Sequence, residues 1–156
     1  MIRLYLLRHG IAVPPGTPGL ADDDRPLTPK GEKRVRLVAE GLRRLRLKLD
    51  RIATSPLPRA RRTAEIVAEA LGIPYLLEDV DALRAQNDAA TIREWLNTRN
   101  EQRLMLVGHN PALMELPGLL ITGESVVPLC ELRKAGIVAL AGPPEGGLRI
   151  DWMARP

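Results

Sequence analysis

Leu4-Tyr5-Leu6-Leu7-Arg8-His9-Gly10, close to the start of the chain, is the stretch on which the reading of this sequence turns. Its apolar part is long enough for one buried strand, and it stops abruptly at a guanidinium, an imidazole and a glycine. In an open α/β sheet, side chains just past the carboxyl end of a strand line the ligand crevice. The glycine lets the backbone turn tightly there and lets a ligand come close. The chain has two histidines, and the second stands in the same kind of place: Leu104-Met105-Leu106-Val107 runs at once into Gly108-His109-Asn110-Pro111. Arg51-Ile52-Ala53-Thr54, followed by Ser55-Pro56-Leu57-Pro58-Arg59, makes a third such edge. Three strand ends thus deliver Arg8, His9, Arg59 and His109 to what reads as one convergent site.

The remaining composition narrows the class of molecule. With 156 residues, 45% of them hydrophobic, a single globular domain over residues 1–156 is expected. Phenylalanine is missing and there are two tryptophans and two tyrosines, so the core must rest on Leu, Val, Ile and Ala. The net charge of +4 is carried almost wholly by arginine and favours anionic partners in general. Aromatics interleaved with the basic residues, which would stack on bases, are missing, so no nucleic-acid partner is expected. A single cysteine, Cys130, excludes an internal disulfide and reads as a packed residue in a reducing compartment. The apolar run before Arg8 is too short for a signal-peptide core or a membrane span. A soluble cytoplasmic monomer, with no membrane partner, is the expectation.

Along the chain, residues 11–27 have a loop composition, and the Asp22-Asp23-Asp24 run within them reads as a solvated loop, with approach to the site as the lesser alternative. Thr28 caps a helix with Pro29 at its first position, Glu32 close enough to assist, and Val35, Val38, Leu42, Leu45 and Leu49 inward. A strand over 51–54 precedes a helix from Pro58 to Leu71, with Ala60, Ala64, Val67 and Leu71 inward and Gly72 just beyond its end. Tyr75-Leu76-Leu77 suggests a third strand and Glu78–Asn87 a loop, with Asn87 or Asp88 capping a helix through Ile92, Trp95 and Leu96. After the strand over 103–107 comes a helix interrupted by Pro117-Gly118. Two edge strands, 136–140 and 148–152, are joined through Gly142–Gly147. Alternating strands and helices make this a three-layer α/β/α sandwich.

Two arginines and two histidines around one crevice form an oxyanion site, because the planar fork of arginine suits phosphate. Backbone N–H groups at the helix starts after Ser55 and Gly108 would add donors. Catalysis needs a nucleophile, and a neutral imidazole can attack phosphorus through one nitrogen. Nearby Arg8 and Arg59 would lower its pKa and neutralise charge on the transferring oxygens. Two histidines from distant strands, with no carboxylate beside either, fall short of a zinc site, and no Walker-type loop is present. Ser55 reads as a helix-initiating residue, since no acid–base partner adjoins it. Arg62 reads equally well as a site residue or an exposed one.

Arg8-His9-Gly10 after an apolar strand resembles the signature of the histidine phosphatase superfamily, and the whole chain resembles its small SixA-type phosphohistidine phosphatases. Arg25-Pro26-Leu27-Thr28, Ser55-Pro56-Leu57-Pro58-Arg59-Ala60 with Thr63-Ala64, and Gly108-His109-Asn110-Pro111 extend the match in order. The resemblance implies a phosphoglycerate mutase-like fold with a mostly parallel sheet, and His9 as a nucleophile that becomes phosphorylated. It implies that Arg8, Arg59 and His109 bind the phosphoryl group, His109 with cationic character, and that no metal or organic cofactor is used. Where relatives often carry glutamine, this chain has Arg62. Many superfamily members draw a general acid from a middle loop; here Ala82 precedes Leu83, and Glu78, Asp81 and Asp88 are the nearest carboxylates, none matching.

Phosphohistidine has an imidazole leaving group, which departs more readily than an alkoxide, so a site without a strong acid suits it. The expected partner is therefore a phosphohistidine-bearing protein of the phosphorelay or phosphotransferase type. A phosphate ester processed by a small-molecule phosphatase or mutase, and a non-catalytic phosphate-binding module, stand as alternatives.

Overall fold

A strand that is apolar on both faces needs cover on both, and β1 (Ile2–Arg8) receives it. Leu4, Tyr5, Leu6 and Leu7 are all buried in the computed structural model, which describes residues 1–124, 128–143 and 147–156. Then follow α1 (Pro29–Arg44), β2 (Arg51–Thr54), α2 (Pro58–Leu71), β3 (Leu77–Asp79), α3 (Ala89–Leu96) and β4 (Arg103–Gly108). The remaining elements are α4 (Ala112–Thr122), β5 (Ile137–Gly142) and β6 (Arg149–Ala154). All six strands join one sheet in the order β3-β2-β4-β1-β5-β6. The first four in that order are mutually parallel; β5 and β6 are antiparallel additions.

Alternation along β1 divides the core in two. Tyr5 and Leu7 face α1 and α2 through Val35, Ala39, Leu42, Ala60, Ala64 and Val67. Leu4 and Leu6 face α3 and α4 through Ala89, Ile92, Leu113 and Leu116. These are the three layers and the mostly parallel sheet that the sequence implied.

Local departures have local causes. α1 stops at Arg44 because Arg46 turns left-handed (φ 52°), which leaves Leu45 exposed and places Leu49 in the core from outside the helix. Thr28 caps α1 by accepting the Gly31 N–H, but Glu32 pairs with Arg36 and Arg62 instead of assisting. Pro74–Leu76 form a 3₁₀ turn with Tyr75 exposed, so β3 starts two residues later than expected. α4 runs through Pro117 unbroken, since Leu113, Leu116 and Leu119 bury its inner side. β5 is no edge: it lies between β1 and β6 with every residue buried. Its connection to β6 passes through residues 144–146, and Val126 and Val127 precede Cys130; both lie outside the described residues.

The start of α1 is pressed against the end of β1. A Cβ on Gly10 would meet Val35 Cγ2 at 2.6 Å, and one on Gly31 would overlap the Ile11 carbonyl. Gly10 is therefore required by the neighbouring helix and not by a left-handed turn. Replacing Gly31 with Ala forces these backbones apart. Urea denaturation should show a loss of about 1–3 kcal/mol, whereas Gly41→Ala, where a Cβ meets nothing within 4 Å, should show no loss.

Candidate active site

Parallel pairing of β1 with β4 sets Arg8 opposite Gly108, and the His9 N–H donates to the Gly108 carbonyl at 3.0 Å. On the far side of β4, the Ser55 N–H donates to Val107 at 2.9 Å. The three strand ends are thus level, and the two histidine rings lie 5.1 Å apart, tilted by 56°. Arg59, second residue of α2, is 2% exposed and each histidine 6%. Charges on Arg8 and Arg59 act on both imidazoles, so the structure brings all four expected side chains together.

His9 Nδ1 lies 2.7 Å from the Gly10 carbonyl. A carbonyl only accepts, so Nδ1 carries the hydrogen and Nε2 holds the lone pair. Burial, with smaller contributions from His109, Arg59 and Arg8, pushes the His9 pKa down to about 3. Arg8 and Arg59 act in the expected direction, but burial is the larger cause. His109 is pushed down to about 4, by burial and then by Arg59, Arg25 and Arg8, with Asp22 opposing. These effects favour its neutral ring at pH 7.

Backbone carbonyls aim the arginines. Arg8 Nη1 donates to Leu132 at 3.1 Å, and Asn110 Nδ2 donates to the same oxygen at 2.9 Å. Arg59 Nη1 donates to the Asp22 carbonyl at 3.0 Å. Thr63, one turn beyond Arg59, donates to the Arg59 carbonyl and accepts the Gly10 N–H, which ties α2 to the end of β1. Arg8 Nε, Arg59 Nε and His109 Nδ1 are buried without a hydrogen-bond partner among the described residues. The two guanidinium Nε–H groups are buried donors of the kind an oxyanion would satisfy, and His109 Nδ1 joins them in the form that carries a hydrogen there.

A family model described as the histidine phosphatase superfamily (branch 1) matches residues 4–87. The chain belongs to the histidine phosphatase superfamily. An uncharacterized protein of Picosynechococcus is 40% identical over 96% of this chain and 89% of its own length. Phosphohistidine phosphatase SixA of Escherichia coli is 27% identical over 99% of this chain and 94% of its own. A probable phosphoglycerate mutase GpmB of Cronobacter sakazakii is 32% identical over 94% of this chain, which spans 66% of that protein. The solved structure of SixA complexed with tungstate superposes with a TM-score of 0.82 at 24% identity, covering 97% of this chain and 96% of that one.

Within the superfamily scaffold, the acids singled out in the sequence are used elsewhere. Glu78 pairs with Arg51 and Arg99, the exposed Asp81 pairs with Arg84 at 2.8 Å, and Asp88 caps α3. Arg62 pairs with Glu32 at 3.0 Å and links α2 to α1, outside the site. The residues that sequence reasoning underrated are Ser55, Arg25 and Asp22. Ser55 Oγ accepts the Leu57 N–H, which removes that donor from any anion, and it shares a 2.8 Å hydrogen bond with His109 Nε2. Arg25 donates to Asp22 and to the Val13 carbonyl, folding the acidic run back onto Arg59. Three adjacent aspartates carry no sequence signal for a contact 37 residues away. A cavity of about 600 Å³ between α1 and the β5–β6 end is lined by Leu37, Leu45 and Trp152 and includes none of the four convergent residues.

The buried histidines set a pH dependence of stability. Below about pH 6.5 the unfolded chain takes up protons at both imidazoles, whereas the native rings titrate at about 3 and about 4. Their contribution is full above about pH 6.5 and falls as the pH drops toward 4, each with a slope of up to about 1.4 kcal/mol per pH unit. Asp50 and Glu32, held below the usual carboxylate range by Arg103 and Arg62, lose theirs only at lower pH. Denaturant midpoints between about pH 8 and about pH 5 should fall in the parent and fall much less in a His9→Gln, His109→Gln double variant.

Proposed function

We propose that the chain is a phosphohistidine phosphatase, removing the phosphoryl group from a protein histidine through a phosphoenzyme on His9 Nε2. The observation that carries this reading is the His9 Nδ1 contact with Gly10, which leaves Nε2 as the free lone pair beside two guanidinium groups. A pKa of about 3 keeps that lone pair unprotonated at every physiological pH.

Nε2 attacks phosphorus in line, the bond from phosphorus to the departing ring breaks, and its electron pair stays on the departing nitrogen. Arg8 and Arg59 donate to the equatorial oxygens as charge shifts onto them. His109, neutral beforehand, is drawn toward the protonated form by the phosphoryl dianion and donates to it, held through its other nitrogen by Ser55. Water then attacks the phosphorus on His9, its proton passes to the phosphate, and the pair returns to Nε2. No step needs a metal.

Three things support a phosphoprotein substrate. None of Glu78, Asp81 and Asp88 reaches the four residues, which suits an imidazole leaving group better than an alkoxide. Only short 3₁₀ turns, Asp22–Asp24 and Asp81–Leu83, follow β1 and β3 at this edge, which suits a histidine presented on a protein surface. The chain also matches SixA over nearly the full length of both, but GpmB over two thirds of it.

Phosphate release should be measured from a phosphohistidine protein, a phosphoserine peptide and a phosphosugar. Release from phosphohistidine alone is expected, reduced about 10³-fold or more in His9→Ala. Parent enzyme quenched in alkaline denaturant should carry acid-labile, alkali-stable phosphate, and His9→Ala none. Equal turnover of the esters would favour the small-molecule reading. Binding without turnover of any of them would mean a non-catalytic phosphate module.

A further inference from the structure

Asp22 is the one carboxylate among the described residues within 4.0 Å of any of the four convergent side chains, with Oδ2 that distance from Arg59 Nη2. It is held from two sides. Its carbonyl accepts from Arg59 at 3.0 Å, and Oδ1 accepts from Arg25 Nε at 2.8 Å, Arg25 being anchored in turn on the Val13 carbonyl. Oδ2 accepts no hydrogen bond among the described residues. Exposure separates two levels of the site. The Arg59 side chain is 3% exposed and the His9 residue 6%, whereas the Asp22 side chain is 60% exposed. The histidine and the arginine form the buried floor, and the carboxylate stands at the rim.

In an in-line transfer the entering and departing atoms lie on opposite sides of phosphorus. With His9 Nε2 entering from the floor, the departing group lies on the rim side. For a phosphorylated histidine that group is an imidazole carrying phosphorus on one nitrogen and, in its reactive form, a proton on the other. When the P–N bond breaks, its electron pair stays on the first nitrogen, the proton stays on the second, and neutral imidazole departs.

We propose that Asp22 Oδ2 is the leaving-group subsite, accepting the N–H of a phosphorylated imidazolium and so favouring the protonated ring that departs. The proposal rests on the phosphohistidine reading above. It also accounts for a preference between substrates. A phosphate ester offers no such N–H for the carboxylate to hold. The groups facing Asp22 are Arg59 from α2, Arg25 from the segment before α1, His109 from the end of β4, and Asp23 and Asp24 from its own turn. Asp23 also acts on Arg59 and is the natural control.

The test compares Asp22→Asn, which keeps the backbone carbonyl, with the parent on phosphohistidine and on p-nitrophenyl phosphate, whose leaving group needs no proton. For phosphohistidine, kcat/KM should fall about ten- to a hundredfold, with part of the loss restored in Asp22→Glu. Turnover of p-nitrophenyl phosphate should hold or rise, which also shows that the variant is folded. The carboxylate raises the pKa of the bound ring, so its loss should move the alkaline limb of the phosphohistidine profile to lower pH, by about one unit. Asp23→Asn should leave both substrates unchanged. Parallel loss on both substrates would assign Asp22 to the positioning of Arg59 and overturn the subsite, as would no change on either, or a loss that follows Asp23. A parent enzyme that hydrolyses p-nitrophenyl phosphate but not phosphohistidine would overturn the underlying reading, and the subsite with it.

Discussion

The register in which β1 lies against β4 governs everything at this edge of the sheet. With Arg8 opposite Gly108, His9 and His109 leave their strands at the same level, and the bond from the His9 N–H to Gly108 continues the ladder into the site itself. A slip of one residue would turn every side chain of β1 to the opposite layer, exchanging Tyr5 and Leu7 with Leu4 and Leu6. The two cores therefore fix the register, and the register fixes the distance between the imidazoles. Placement of the site is a consequence of burying leucines on both sides of one strand.

Burial then does chemical work on the groups it encloses. An imidazole in water is half protonated at about pH 6.5 and is a poor nucleophile in that form. Enclosed as His9 is, it stays neutral, and the Gly10 carbonyl decides which nitrogen is left bare. The opposite consequence appears in stability, since the same burial makes the native state vulnerable to acid. Chemistry and acid sensitivity here have one physical source.

Much of this was legible in the sequence because each candidate site residue stands at, or a few residues beyond, the end of an apolar run. Arg8, His9 and His109 stand at strand ends, and Arg59 follows a Ser-Pro-x-Pro turn, so strand boundaries alone located them. Thr28, Pro29, Gly72 and Asp88 likewise announced their helix ends through local chemistry. What stayed hidden depends on contacts between distant segments. Ser55 meets His109 across 54 residues, Thr63 meets Gly10 across 53, and Asp22 meets Arg59 across 37. Gly10 was read as a turn residue because the sequence does not show that Val35 presses on it. Leu45 was read as core because spacing continues through Arg46, while the left-handed turn there does not.

The arginines sort by partner. Arg62, Arg99 and Arg103 each hydrogen-bond a carboxylate, on Glu32, Glu101 and Asp50, and those bonds raise their pKa values. Their charge is already matched, so they serve as links between elements. Arg8 and Arg59 are instead oriented by carbonyls of Leu132 and Asp22, and burial lowers their pKa values. A carbonyl directs a guanidinium through one N–H without cancelling its charge, leaving the other donors and most of the field for an anion. Of the two, Arg59 also feels carboxylates, those of Asp23 and of Asp22, the latter at 4.0 Å and at the exposed rim. That distance is too long for a tight pair, so the charge of Arg59 survives for an anion. A carboxylate closer in would neutralise that charge, and one farther out would not reach a departing ring; in the mechanism proposed above, Asp22 acts on the leaving group from where it stands while Arg59 holds the phosphate.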